Sequence, residues 1–162
     1  SLFGPAILWL KNSGIVNQVF KTSAQMPLEM YKELSSFKLY MSDVGLFVNK
    51  ARYPLYQIDL NTQPTMISMG PLTEHYVANE LKVKGYETYY WESEGKAELD
   101  FIIQKETEII PIEVKSNIHT KSRSLDLYMK NYKTEYAIRI SEKNFGFENN
   151  IKSVPLYAVF CI

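Results

Sequence analysis

The stretch AELDFIIQKETEIIPIEVKS, from Ala97 to Ser116, decides the fold because it holds two apolar runs joined by a polar turn. Such runs, rich in isoleucine and bounded by turn residues, predict two antiparallel strands. Three charged residues, Asp100, Glu113 and Lys115, interrupt the apolar runs. Because burying a lone charge is costly, each of them must lie at an edge, be paired or hold a ligand.

Alternation along the second strand separates its charges from its apolar residues. Glu113 and Lys115 share one face, while Ile112 and Val114 share the other and are expected to pack inward. Antiparallel pairing through the short turn brings Asp100 beside Glu113. Two adjacent carboxylates repel each other unless a proton or a cation bridges them, and such a pair suits Mg²⁺ with water and phosphate oxygens as further ligands.

A helix is predicted directly upstream, in GPLTEHYVANELKVKGY, where Pro71 lies at a first helical position and Gly85 provides the stop. Glu74 shares a helix face with apolar residues three, four and seven positions later. A carboxylate there is either favoured by the helix dipole or aimed at a site on the sheet. The acidic pair on the sheet favours the second interpretation, so Glu74 is the fourth candidate residue.

The order of elements from Gly70 onward predicts an α/β fold. The first helix precedes the aromatic strand YETYYW, the two strands of the quoted stretch, the helical SRSLDLYMKNYK, and two further strands, EYAIRI and PLYAVFCI. A helix, three strands, a helix and two strands predict a sheet sandwiched by helices.

The segment before Gly70 has a different character. An apolar helix in SLFGPAILWLKNSG ends at a glycine, the strand IVNQVF follows, and FKLYMSDVGLF is an extended run closed by a turn. This order is compatible with the end of a winged-helix module, and equally with a helical extension packed on the main domain. We therefore divide the chain into an N-terminal extension, residues 1–69, and a main domain, residues 70–162.

Composition narrows the class of protein. Of 162 residues, 46% are hydrophobic and 22% are charged, as in a folded globular protein. Lys+Arg and Asp+Glu both total 18, which excludes a globally cationic nucleic-acid binder but not a local basic patch. The single Cys161, the lack of an apolar run long enough to span a bilayer and the lack of a signal-peptide pattern predict a cytoplasmic location without a membrane partner. Since the chain starts at Ser1 within a predicted helix, we expect it to be a piece of a longer chain.

These residues carry a family resemblance. Glu74 on a first helix, Asp100 on a second strand and Glu113-Val114-Lys115 on a third resemble the PD-(D/E)XK nuclease core, although Leu99 stands where that signature has proline. GPLTEHYVANEL, YYW, ELDFII, IPIEVKS and VPLYAV are similar to the C-terminal domain of unknown function that follows the ATPase module of many prokaryotic AAA-type ATPases. LWLKNSGIV and KLYMSDVGLF resemble the segment that links the two parts, so the resemblance covers nearly the whole chain.

The resemblance implies a restriction-endonuclease-like core and metal-dependent hydrolysis of phosphodiesters in DNA, or less readily in RNA. Asp100, Glu113 and Glu74 would hold Mg²⁺ or Mn²⁺, and Lys115 would position a water or stabilise charge in the transition state. The implied partners are nucleic acid and an N-terminal ATPase module of the same parent chain. ATP would enter only through that module, because this sequence has no phosphate-binding glycine loop.

Basic residues that follow the motif give a second candidate surface. Lys121, Arg123, Lys130 and Lys133, against Asp126, either hold a nucleic-acid backbone or form the solvated face of a helix.

Three hypotheses remain: a Mg²⁺-dependent nuclease, a catalytically silent module that binds nucleic acid or a partner, and a structural domain that assembles the parent protein. The full Glu/Asp/Glu/Lys set favours the first, because a binding domain has no need of two carboxylates facing an anionic ligand. Two observations oppose it. The 12 basic and 14 acidic residues from Pro71 onward disfavour autonomous DNA binding, and the charged cluster has an alternative interpretation as a surface ion pair worth ~0 to 1 kcal/mol. On the nuclease hypothesis, we expect the four residues to converge at one edge of the sheet.

Overall fold

Helices and strands follow one another along the chain, and the strands form one large sheet. A computed structural model describes residues 3–54, 69–93, 97–117 and 122–162. The strands are β1 Val16–Thr22, β2 Lys32–Met41, β3 Thr88–Ser93, β4 Ala97–Lys105, β5 Glu108–Val114, β6 Ala137–Ser141, β7 Gly146–Glu148 and β8 Ile151–Pro155. The α-helices are α1 Gly4–Asn12, α2 Val44–Lys50, α3 Gly70–Val83 and α4 Arg123–Tyr132, and two 3-10 helices span Leu28–Tyr31 and Leu156–Cys161.

All eight strands form one mixed sheet in the order β2-β1-β3-β4-β5-β6-β8-β7. The quoted stretch is the β4–β5 hairpin at its centre, with Phe101 opposite Ile112 and Lys105 opposite Glu108. The pairs β1–β3, β5–β6 and β6–β8 are parallel, and the remaining pairs are antiparallel. The predicted hairpin is therefore confirmed, and a parallel strand flanks each side of the antiparallel β3–β4–β5 unit.

Each face of the sheet is covered by one helix. On one side α3 buries Val77 and Leu81 against a cluster that contains Ile112 and Val114, which confirms the predicted inward face of β5. On the other side α4 buries Leu125 and Tyr128 against aromatic and aliphatic residues of β3 and β4. Because helices flank a mixed sheet on both faces, the predicted α/β class is confirmed. Within the described ranges, no helix has both the length and the hydropathy needed to cross a membrane.

Two predicted elements differ in the structure. The apolar run PLYAVFCI was predicted as a strand, but the strand ends at Pro155 and the next six residues form a 3-10 helix. Pro155 has no N–H to continue a ladder, and Ala158 and Val159 are buried in the cluster on the α3 side. The turn after FKLYMS was predicted to close an extended run, but the Asp43 carboxylate accepts a hydrogen bond from the Leu46 N–H and starts α2.

The N-terminal residues extend the same sheet. β1 runs parallel to β3, with Phe20 opposite Tyr89, and β2 pairs with β1 at the edge. Val19 and Tyr40 are buried in the cluster that α3 covers. Residues 55–68 lie outside the described ranges, and the division at Gly70 and the winged-helix interpretation stay predictions.

Substitution of Val19 tests how tightly the N-terminal strands are joined to the rest. Val19 is only 1% exposed, so Val19→Ala should lower the free energy of unfolding by about 2 kcal/mol in a single urea transition. Val83→Ala is the matched control, because Val83 is 83% exposed and its truncation should change stability by less than about 0.5 kcal/mol. A main transition unaffected by Val19→Ala would show that β1 unfolds independently of the sheet.

Candidate active site

The four residues singled out by the sequence line one cleft at an end of the sheet. The cleft has a volume of about 580 Å³. We call it the acidic cleft, and its charged and polar lining residues are Lys38, Glu74, Glu92, Glu98, Asp100, Glu113, Lys115 and Ser124. The structure thus brings the helix carboxylate, the two sheet carboxylates and the lysine together, while their catalytic role stays a prediction.

Asp100 lies where the pairing of β4 with β5 ends, while β4 continues to pair with β3. Leu99 packs on the α4 side of the sheet and Phe101 on the α3 side, so a register shift between β3 and β4 interrupts the alternation of faces at Asp100. Val114 lies two residues beyond Ile112, the last paired residue of β5 opposite β4, and its N–H donates to Oδ2 of Asp100 at 2.7 Å. A side-chain carboxylate therefore takes the place of a backbone acceptor at the end of the ladder.

Glu113 is buried although it carries an acidic group. Its side chain is 5% exposed, and Nζ of Lys115 lies 2.5 Å from its Oε1. Its second carboxylate oxygen, Oε2, is buried without a hydrogen-bond partner among the described residues. Two residues after Glu113, the Lys115 N–H donates to the Ile140 carbonyl at 2.8 Å, so this end of β5 is bonded to β6. Glu113 therefore has one oxygen neutralised by Lys115 and one that remains able to accept a ligand.

The charges of the cleft perturb Asp100 strongly. Burial, followed by the nearby carboxylates of Glu113 and Glu74, raises the pKa of Asp100 from 3.8 to about 7, against the opposing hydrogen bond from Val114. Like charges that share a site favour the protonated form of one of them. A pKa of about 7 means that Asp100 carries a proton in part of the molecules near neutral pH.

Glu74 is held by two residues of β2 that the sequence analysis did not identify. Its Oε1 accepts a hydrogen bond from the Tyr40 hydroxyl, and Nζ of Lys38 lies 3.1 Å from the same oxygen. Lys38 also forms an ion pair with Glu98. Lys38 and Tyr40 are two positions apart on β2, so the alternation of a strand places them on one face. This spacing is the only sequence signal for their role, and it does not connect β2, which lies in the predicted N-terminal extension, to Glu74.

Titration of these two residues follows from the same contacts. Burial disfavours the charged form of Lys38, but its bonds to Glu98 and Glu74 outweigh this effect and raise its pKa. Burial and the carboxylate of Glu74 raise the pKa of Tyr40 well above its ordinary value. Lys38 therefore stays a cation and Tyr40 stays a hydrogen-bond donor at any physiological pH.

Two of the three predicted metal-ligand carboxylates are paired with lysines of the protein itself. Glu74 is paired with Lys38, and Glu113 with Lys115. In the part of the chain that the structure describes, no three His, Cys, Asp or Glu side chains form a ready metal-binding set. The predicted metal ligands Asp100, Glu113 and Glu74 thus lie around one cleft without being drawn together into a coordination sphere.

The predicted basic surface lies elsewhere. Arg123 and Lys130 are exposed on α4, and Lys133 is exposed at its C-terminal cap. None of these three residues lines the acidic cleft, although Ser124 of the same helix does. Lys121 lies outside the described residues. The role of this surface in nucleic-acid binding stays a prediction.

The raised pKa of Asp100 predicts a pH-dependent stability. Between about pH 4 and pH 7 the folded protein retains a proton that the unfolded chain has lost, so this group makes stability fall as the pH rises. Asp100→Asn keeps an acceptor for the Val114 N–H and removes the charge. At pH 8 it should raise the free energy of unfolding by at least about 1 kcal/mol, a figure reduced because Asp100 is only half-buried.

Urea unfolding at pH 5 and pH 8 measures this effect. The exposed Glu142→Gln variant is the control and should keep the wild-type pH dependence. If Asp100→Asn were less stable than the wild type at pH 8, the carboxylate would be a net stabilising group in the cleft and its raised pKa would be refuted.

Comparison with known proteins identifies the family of the chain. No curated protein and no solved structure matches the chain. The model of a domain of unknown function, DUF4143, matches residues 69–159, from the residue before α3 into the last 3-10 helix. The match covers more than half of the chain and includes Glu74, Asp100, Glu113 and Lys115. The chain therefore belongs to the DUF4143 family of domains of unknown function.

Proposed function

We propose that this chain is a nuclease-like domain that hydrolyses phosphodiester bonds of DNA with a divalent metal ion. The observation that supports the proposal most is the position of Asp100, whose pKa is raised by burial and by two further carboxylates in a cleft that also contains Lys115. Perturbed titratable groups collected in a cleft are typical of functional sites. A surface ion pair would leave no buried carboxylate oxygen without a partner, as Glu113 has among the described residues.

The donor set of the cleft fits Mg²⁺ or Mn²⁺. Asp100, Glu113 and Glu74 offer carboxylate oxygens, which are the ligands that these hard cations prefer. A cation would provide a partner for the buried Oε2 of Glu113, and it would offset the burial and the carboxylate repulsion that raise the pKa of Asp100. These three residues would hold the ion. When bound, it would supply an activated water and charge neutralisation at the scissile phosphate.

The protein's own residues hold this arrangement in place. The Val114 N–H fixes the Asp100 carboxylate, and Tyr40 and Lys38 fix Glu74 from the side of β2. Lys115 is a half-buried cation beside Glu113, from where its ammonium would contact a phosphate oxygen or orient a water. An electrostatic contact prepared in advance in this way stabilises charge that develops during the reaction.

The architecture supports the same proposal. The order α3, β3, β4, β5, α4, β6, with an antiparallel hairpin followed by a parallel strand, agrees with the restriction-endonuclease-like core that the sequence resemblance implies. We further propose that the domain acts in the cytoplasm as the C-terminal part of an AAA-type ATPase, with ATP used only by the N-terminal module. Fold alone does not establish activity, so the proposal depends on the cleft.

A catalytically silent module is the second candidate function. The ion pairs of Lys38 with Glu74 and of Lys115 with Glu113 favour it, because they neutralise the carboxylates without any added cation. In that interpretation, the cleft is a self-sufficient charge network and the domain binds nucleic acid or a partner.

Asp100→Asn decides between the two functions. The wild type should bind Mn²⁺ and cleave plasmid or single-stranded DNA, whereas the variant should bind Mn²⁺ at least about tenfold more weakly and lose cleavage, because one anionic ligand is removed. Calorimetric titration and gel assays measure the two properties, with Glu142→Gln as the control. The assays should be repeated on the parent chain, where the ATPase module delivers the substrate.

Other outcomes have definite meanings. Equal cleavage by the wild type and by Asp100→Asn would indicate a contaminating nuclease and refute the catalytic role. Nucleic-acid binding by the wild type without cleavage, unaffected by metal, would establish the silent binding module instead.

Lys38→Met tests whether Lys38 competes with a cation for Glu74. Its side chain is 27% exposed between Glu74 and Glu98, and removal of this positive charge should tighten Mn²⁺ binding by roughly three- to tenfold. Lys32→Met is the matched control, since Lys32 is 26% exposed and is paired with Glu29 outside the cleft. Unchanged or weaker Mn²⁺ binding by Lys38→Met would place the cation away from Glu74.

A further inference from the structure

A second groove lies next to the acidic cleft on the α4 side of the sheet. It has a volume of about 740 Å³ and lies between the first turns of α4, strand β6 and the β6–β7 connection. We call it the β6 groove, and its charged and hydroxyl lining residues are Ser122, Asp126, Arg139, Lys143, Glu148 and Ser153. The first turn of α4 separates the two spaces, because Ser124 lines the cleft while Ser122 and Asp126 line the groove.

The sheet connects the groove to the cleft through one row of residues. Glu113 of β5 is aligned with Arg139 of β6, and Arg139 is aligned with Ser153 of β8. Aligned residues of parallel strands project to the same face, and neighbouring backbones are about 5 Å apart. Arg139 is therefore one strand, about 5 Å of backbone spacing, away from Glu113.

Arg139 is a half-buried cation that forms no ion pair with an acidic residue within the described ranges. Its Nε is buried and has no hydrogen-bond partner among the described residues. It forms no ion pair within the described ranges with Glu113, although the two share a face and Glu113 has an unpartnered oxygen. Its side chain lines the β6 groove instead of the cleft. A buried guanidinium nitrogen without an acceptor is costly, so this position favours an external anion as a partner of Arg139.

The charge balance of the groove depends on burial. Lys143 adds a second cation, and Asp126 and Glu148 add two carboxylates. Lys143, Asp126 and Glu148 are all exposed, so water and salt screen them, whereas the half-buried Arg139 acts at higher field strength. The hydroxyls of Ser122 and Ser153 are additional donors to an anion. The inner part of the groove is thus positive while its rim is mixed.

We infer that the β6 groove binds a backbone phosphate of a nucleic acid strand next to the one held in the acidic cleft, with Arg139 and Lys143 as its ligands. The inference rests on the proposed function for the identity of the polymer. It places backbone recognition on β6 and the β6–β7 connection, and not on the exposed Arg123, Lys130 and Lys133 of α4. Guanidinium groups suit this role because their donors match the geometry of a phosphate.

The test is the salt dependence of binding. The probe is a fluorescein-labelled oligonucleotide of about 16 nucleotides, used as a single strand and as a duplex. It is titrated with the protein in a buffer that contains a metal chelator, and its fluorescence anisotropy is measured at several salt concentrations. Arg139→Gln and Lys143→Gln should each weaken binding about fivefold and lower the slope of log affinity against log salt by about one. Lys84→Gln is the matched control, because Lys84 is exposed at the end of α3, outside the β6 groove, and this variant should leave affinity within about twofold and the slope unchanged.

The inference would be overturned by no oligonucleotide binding by the wild type, by a wild-type slope in both groove variants, or by an equal loss in Lys84→Gln. Binding of inorganic phosphate by the wild type that is lost in Arg139→Gln, with oligonucleotide binding unchanged in both groove variants, would also overturn it in favour of free phosphate. Lys143 is exposed, so its variant remains informative if Arg139→Gln is unstable. Wild-type slopes in the groove variants together with Asp100-dependent cleavage would refute phosphate binding by the β6 groove and support hydrolysis at the acidic cleft. Reduced slopes in the groove variants without any cleavage would support phosphate binding by the groove and refute the hydrolysis.

Discussion

The hydrogen bond from the Val114 N–H to the Asp100 carboxylate is the constraint on which the site depends. It lies just beyond the last backbone pair of the β4–β5 hairpin, where the two strands separate. Because a side chain supplies the acceptor, β5 leaves β4 without an unsatisfied N–H, and its next N–H, that of Lys115, bonds to β6. The point of separation is where Asp100, Glu113 and Lys115 come together, so the geometry that opens the hairpin also assembles the charges.

Much of this arrangement could be predicted from sequence because it is local. The hairpin, the inward face of Ile112 and Val114, and the meeting of Asp100 with Glu113 all follow from a period of two and a short turn. The stop of the last strand at Pro155 and the capping of α2 by Asp43 were also local, but their apolar neighbours suit a strand equally well. Burial of Val159 against α3 then selects the 3-10 helix, and that contact is not visible in a short window of sequence.

The contribution of β2 could not be predicted in the same way. Lys38 and Tyr40 reach Glu74, more than thirty residues later in the chain, through a β1–β3 pairing that is parallel and non-local. Parallel pairing leaves no turn signal to mark it. Arg139 was overlooked for a related reason: on an apolar strand it is one charge without a neighbour in sequence, and only the alignment with Glu113 across β5 and β6 gives it a context.

The placement of charges has a consequence for any substrate that the proposed function requires. Three carboxylates repel an anionic phosphodiester, and the two lysines of the acidic cleft are already paired with two of them. A phosphate would therefore enter together with a cation, and each would lower the electrostatic cost of the other, which is a positive coupling between two ligands of one site. Arg139 and Lys143 lie outside these ion pairs within the described residues, so they can attract a polyanion before the cleft is neutralised. On the proposed function, the β6 groove would therefore attract the polyanion first, and the acidic cleft would accept a phosphate together with a cation afterwards.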